Sequence, residues 1–125
     1  MERFAVSVLP LAKPQEWQPF VASIDHGERA ADHRAMLSRL GITHEYVHHQ
    51  PGHGTDLAVL IWEGVGQEEA AAKMGDLIQN PQSDHERYIV EHVIGELHGI
   101  DTAAGPPPEI TRVADIDCSK VPATH

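Results

Sequence analysis

Apolar residues alternate with polar ones, or bunch into short runs, in an order that predicts strand, helix, strand, strand, helix, strand within one chain. Phe4 to Leu9, with Val6 and Val8, reads as a strand bounded by Pro10. Pro14 suits the first turn of a helix, and Glu16 complements its positive end. Trp17, Phe20, Val21 and Ile24 then recur at helical spacing, joined by Ala31 and Ala35. Met36, Leu37 and Leu40 fall on roughly the opposite side, so the helix is either packed on two faces or broken near Asp25-His26-Gly27. Asp25 with Glu28 three residues on could cap a second segment, and Gly41 is a helix stop.

Ile42 to Gln50 and Asp56 to Glu63 read as two strands joined through the turn Pro51-Gly52-His53-Gly54. The second strand is apolar on both faces, with Leu57, Val59 and Ile61 on one and Ala58, Leu60 and Trp62 on the other. Helices can cover one face; the other calls for a second copy of the chain. A helix over Gln67–Ile78 stops at Asn80-Pro81, and Ser83 with Glu86 resembles a capping box. The helix so opened carries Ile89, Val90, Val93, Ile94 and Leu97 and ends at His98-Gly99. Gly105-Pro106-Pro107-Pro108 is a stiff connector to a last strand, Ile110–Ile116. This gives a single α+β domain over 1–117 and a tail over 118–125.

The stretch HRAMLSRLGITHEYVHHQ, followed by DLAVLIWEG, resembles a bacterial branch of the dimeric α/β barrel superfamily. That superfamily includes antibiotic-biosynthesis monooxygenases, stress-responsive barrel proteins and haem-degrading enzymes. As topology the resemblance covers roughly residues 3–117; as residues it is confined to the helix end and the hairpin. It implies a ferredoxin-like βαββαβ sandwich, here with an extra or broken helix. It also implies a homodimer packed sheet to sheet and a pocket between sheet and helices. The superfamily shares no universal catalytic signature, so a fold and a pocket transfer and a reaction does not.

The formal net charge of −10 disfavours nucleic acid and anionic membrane as partners. Nearly all of it falls in residues 51–125, and reads as a solvated acidic face. The lone Cys118 excludes an internal disulfide. The N-terminal residues form neither a signal peptide nor a membrane span, so the cytoplasm is the expected compartment.

Ten histidines suggest metal, but no two stand at i, i+3 or i, i+4 on a predicted helix. His44 and His48 share a strand face at a backbone separation of about 13 Å. Neither a metal nor an organic cofactor is therefore expected. His33 shares the arc of Met36, Leu37 and Leu40, with Arg29 one turn earlier, and Glu45 on the next strand is the natural partner. On the late helix His85, His92 and Glu96 fall on one line with Tyr88 beside it, at the border of the apolar stripe. Trp62 and Tyr46 could stack on a flat ligand, although each more often packs in a core.

The catalytic candidates are thus His33, Glu45 and His92, the last oriented by Glu96; the ligand-binding candidates are Arg29, His49, Trp62, His85 and Tyr88. Two readings follow. One is a cofactor-independent monooxygenase, isomerase or cyclase, using His and Glu for proton transfer on an aromatic or polyketide-like small molecule. The other is a non-catalytic binding protein of the same fold, or a haem-binding barrel with a histidine as axial ligand.

Overall fold

The computed structural model describes residues 3–104 and 110–120. The elements are β1 (Phe4–Leu11), α1 (Pro14–Asp25), α2 (Ala30–Arg39), β2 (His44–Gln50), β3 (Asp56–Glu63), α3 (Gln67–Gln79) and α4 (Asp84–Tyr88). A π-helical stretch, Ile89–Leu97, continues α4, and a 3₁₀ turn follows at Thr102–Ala104. The fold is mixed α+β, with one antiparallel sheet of three strands in the order β1-β3-β2.

The register decides which face is buried. Ala5, Trp62 and Glu45 form one row, and Leu9, Ala58 and His49 another, on the face covered by helices. Trp17, Phe20 and Ile24 from α1, Met36 from α2, Leu77 from α3 and the apolar side of the π-helical stretch complete this core. The opposite face carries Phe4, Val8 and Tyr46, which are 42, 44 and 45% exposed, with Leu57, Val59 and Ile61 half-buried between them. The two-sided apolar pattern of β3 thus has helices on one side and, among the described residues, an open face on the other, with Arg112 over the Phe4 ring at its edge.

The first helical region breaks at residues 26–29. Gly27 is required there, because a Cβ would lie 2.8 Å from the Cα of Ser23. The expected Asp25 cap is not formed: the N-cap of α2 is Arg29, with no side-chain cap, and the Asp25 carboxylate faces His26 instead. Arg34 closes the break by donating from Nη1 to the Ile24 carbonyl (3.1 Å) and from Nη2 to that of Asp25 (3.0 Å). Two carbonyls at the end of α1 thereby find donors.

The expected strand over Ile110–Ile116 is not present. Residues 110–116 hold no regular structure, and Val113 and Ile116 are 95 and 85% exposed. In a ferredoxin-like sheet this strand would lie beside β1. That edge is already engaged: Gln67 accepts from the Val6 N–H and donates to its carbonyl, both at 2.9 Å. Pro10 has no N–H to offer, and its carbonyl accepts from His98 Nδ1 at 2.8 Å. The glycine–proline connector at 105–108 lies outside the described residues.

Ser83 caps α4 as its spacing predicts, its Oγ accepting from Glu86 N at 3.1 Å. The Glu86 side chain does not complete the box. It takes the Gln82 N–H at 2.9 Å and receives Arg39 from α2 through two bonds of 2.9 and 2.5 Å. Glu86 is buried, so this fork joins α2 to α4 and neutralises a desolvated charge. Replacing Arg39 by Met should cost about 2–3 kcal/mol in urea unfolding, because Glu86 is left buried and unpaired. The double variant Arg39→Met, Glu86→Leu should recover most of that loss; an undiminished loss would mean that the pair matters for reasons other than charge.

Candidate functional site

Four elements place polar side chains around the middle of the core. His33 projects inward from α2, and Glu45 and Trp62 stand side by side on β2 and β3 in one row of the sheet. His85 enters from the first turn of α4, and Arg29 stands at the start of α2. His33 Nε2 is 2.8 Å from Glu45 Oε1, and Trp62 Nε1–H donates to Glu45 Oε2 at 2.7 Å. His33 Nδ1 is 3.0 Å from His85 Nε2, with the rings edge to face. His85 Nδ1 is 3.3 Å from Arg29 Nη1, and the Arg29 guanidinium lies 3.4 Å above the Tyr88 ring. Of the sequence candidates, Arg29, His33, Glu45, Trp62, His85 and Tyr88 therefore form one contiguous group. His33 and His85 are buried and Arg29 is half-buried.

This group borders two spaces. Inside is an apolar cavity of about 60 Å³ walled by Trp17, Phe20, Met36, Trp62 and Val93, with His33, Glu45 and His98 as its polar lining. Outside, between the helices and β2, runs a groove of about 440 Å³ lined by Ile24, Arg34, Thr43, Tyr46 and His48. His33 and Glu45 border both, so the pair stands where the groove meets the cavity.

The other two candidates lie apart. His49 shares the face of Glu45, but at the hairpin end of β2; its Nε2 meets Asp56 at 2.9 Å and its Nδ1 meets Gln18 at 3.3 Å. His92 meets Glu96 at 2.7 Å on the solvent side, its ring 5.0 Å from that of Tyr88. Along the expected line of His85, His92 and Glu96, the His92–Glu96 contact forms, and burial falls from buried His85 through half-buried His92 to exposed Glu96. From Ile89 the winding is π, which advances each residue by a smaller angle than α spacing assumes. Tyr46 points to the open face, where it donates to Glu63 at 2.6 Å and stacks on His44.

One buried histidine at this site was not a sequence candidate. His98 lines the cavity and is fixed to the Pro10 carbonyl. Its position just before Gly99 marks a helix stop and gives no sign of an inward side chain.

Burial pushes the His85 imidazole down to about 4, with the neighbouring His33 and Arg29 adding to the effect. Burial also lowers His98, against its hydrogen bond to Pro10. Both ring nitrogens of His33 and of His85 are engaged by neighbouring side chains, which leaves neither free as an axial ligand. Among the described residues, no three His, Cys, Asp or Glu side chains are grouped to hold a metal ion. No described helix is long and apolar enough to cross a membrane. No protein-family model, curated protein or solved structure matches the chain.

Two buried neutral histidines make stability depend on pH. His85 titrates near 6.5 when unfolded and near 4 when folded, so the unfolded chain binds more protons between those values. Its contribution is complete above pH 6.5 and disappears as pH falls toward 4, a loss approaching roughly 3 kcal/mol. The lowered His98 acts in the same direction. Unfolding free energy measured between pH 7.5 and 4.5 should therefore fall steadily; a flat profile would contradict neutral burial of His85.

Proposed function

We propose that the chain is a small-molecule-binding protein of the dimeric α/β barrel type, with Glu45 and His33 as its acid–base pair. The observation that supports this most is their position on the wall shared by the cavity and the groove. A carboxylate with an indole N–H on one oxygen and an imidazole on the other is held in one orientation, as proton transfer requires. Tryptophan, phenylalanine and methionine around it favour an apolar, planar ligand such as an aromatic or polyketide-like molecule. Removing a proton at one ligand atom and returning it at another gives isomerisation or cyclisation; oxygenation would need O₂ as well.

The second copy would sit on the open face of the sheet, where Phe4, Val8, Tyr46, Leu57, Val59 and Ile61 form an apolar surface without helical cover. A second reading, binding without turnover, draws on the small volume of the inner cavity and the full engagement of the His33 ring.

Both tryptophans of the chain line the cavity, so intrinsic fluorescence reports on it directly. Titration with a panel of small aromatic alcohols and ketones should quench it saturably. Glu45→Gln should retain binding and abolish turnover of any compound that is converted. No change with any member of the panel would sink the pocket assignment, binding with no compound converted would leave the second reading, and equal turnover in the variant would remove Glu45 from the chemistry.

Light scattering should give twice the 13.7 kDa chain mass, and Val59→Glu on the open face should return it to one. A monomeric parent protein would remove the dimer from this proposal.

A further inference from the structure

The contacts around His33 determine where its protons sit. A guanidinium has donors and no acceptor. Arg29 Nη1 faces His85 Nδ1, so that nitrogen accepts and carries no proton. Neutral His85 then holds its proton on Nε2, which faces His33 Nδ1 at 3.0 Å. His33 Nδ1 must accept, which leaves the His33 proton on Nε2, aimed at Glu45 Oε1. The bonds therefore run one way, from Arg29 through His85 and His33 to Glu45. The reverse direction would set a His85 N–H against an Arg29 N–H. An imidazolium at His33 would force the same clash, because His85 Nε2 would then have to accept. Stacking on Tyr88 holds the guanidinium in place.

We infer that Arg29, standing outside the cavity, is a positioning residue that fixes the tautomer of His33 and so makes Glu45 the proton acceptor offered to a ligand. This rests on the proposed acid–base role of the pair and narrows it. His33 donates to Glu45 and orients it; it is not itself the base. The matching ligand is neutral and carries an O–H donor, as a phenol or an enol does. A carboxylate at the same place would meet the charge of Glu45 with no cation on the cavity wall.

The test is long-range ¹H–¹⁵N correlation of the histidine rings at pH 7.5, in the full chain without ligand. His33 and His85 should both appear as the neutral Nε2–H tautomer. Arg29→Met removes the donor and should mix the tautomers of both rings, while Arg29→Lys keeps a donor and should preserve the pattern. A His33 ring found as Nδ1–H or as imidazolium in the parent protein overturns the inference, whether or not the variants fold. An unchanged pattern in a folded Arg29→Met protein overturns it too. Phenol and benzoate serve as probes of ligand class. Phenol should shift the Glu45 and His33 resonances and bind about ten-fold more weakly to Arg29→Met, the size of one lost hydrogen bond. Benzoate should leave those resonances unmoved, and equal shifts by both would overturn the ligand class. Phenol binding beside a wrong His33 tautomer would defeat this inference and leave the pocket reading standing. The expected tautomers without any aromatic ligand would do the opposite.

Discussion

The structure depends on satisfying a row of polar side chains inside an apolar core. Burying an imidazole or a carboxylate without partners costs several kcal/mol, comparable to a large part of the stability of a domain this size. The chain avoids that cost by making each buried polar group answer the next. Trp62 and His33 occupy the two oxygens of Glu45, His85 occupies the second nitrogen of His33, and Arg29 occupies the second nitrogen of His85. Among the described residues no buried side-chain nitrogen or oxygen lacks a partner. Because the members come from α2, α4, β2 and β3, the same bonds that satisfy them also fix how helices sit on the sheet. The candidate site and a structural tie are here the same set of contacts.

The sheet shows a second constraint. Three strands with one face covered by helices leave Phe4, Val8 and Tyr46 exposed on the other. The edges are handled differently from the face. β1 is closed by the Gln67 amide, which matches a backbone partner atom for atom at Val6, and by a proline further along. Such devices block strand addition at that edge. The open face is mixed: Tyr46 donates to Glu63 and stacks on His44, and Arg112 lies over the Phe4 ring.

Much of this was legible in the sequence because it obeys simple periods. Alternation along Asp56–Glu63 set Ala58, Leu60 and Trp62 on one face, the one the helices cover, and the two opposed apolar arcs before Gly41 are explained by the break at Gly27. His33 stood out as a basic residue on an apolar arc, and Glu45 as the nearest carboxylate of the right strand parity. What was not legible depends on three-dimensional partners. Nothing local shows that Arg34 would close α1, that Glu86 would turn from its cap to Arg39, or that Gln67 would replace a strand. The apolar residues of 110–116 suggested a strand, but a strand needs an open edge, and the edge was decided by residues far away in sequence.

The helix that carries His85 and Tyr88 changes its winding at Ile89. Through Tyr88 the helix is α, which brings His85 to His33 and Tyr88 beneath Arg29 on adjoining sides of one short segment. From Ile89 the wider π winding keeps Ile89, Val90, Val93, Ile94 and Leu97 buried together; Ile89, Val93 and Ile94 line the cavity. The His98 N–H reaches the Val93 carbonyl at 2.9 Å, five residues back, and the Leu97 carbonyl accepts from both Ala12 and Lys13. These bonds fasten the wide helix to the start of α1. The change of winding falls between His85 and Tyr88, which belong to the polar group, and Ile89, Val93 and Ile94, which wall the cavity.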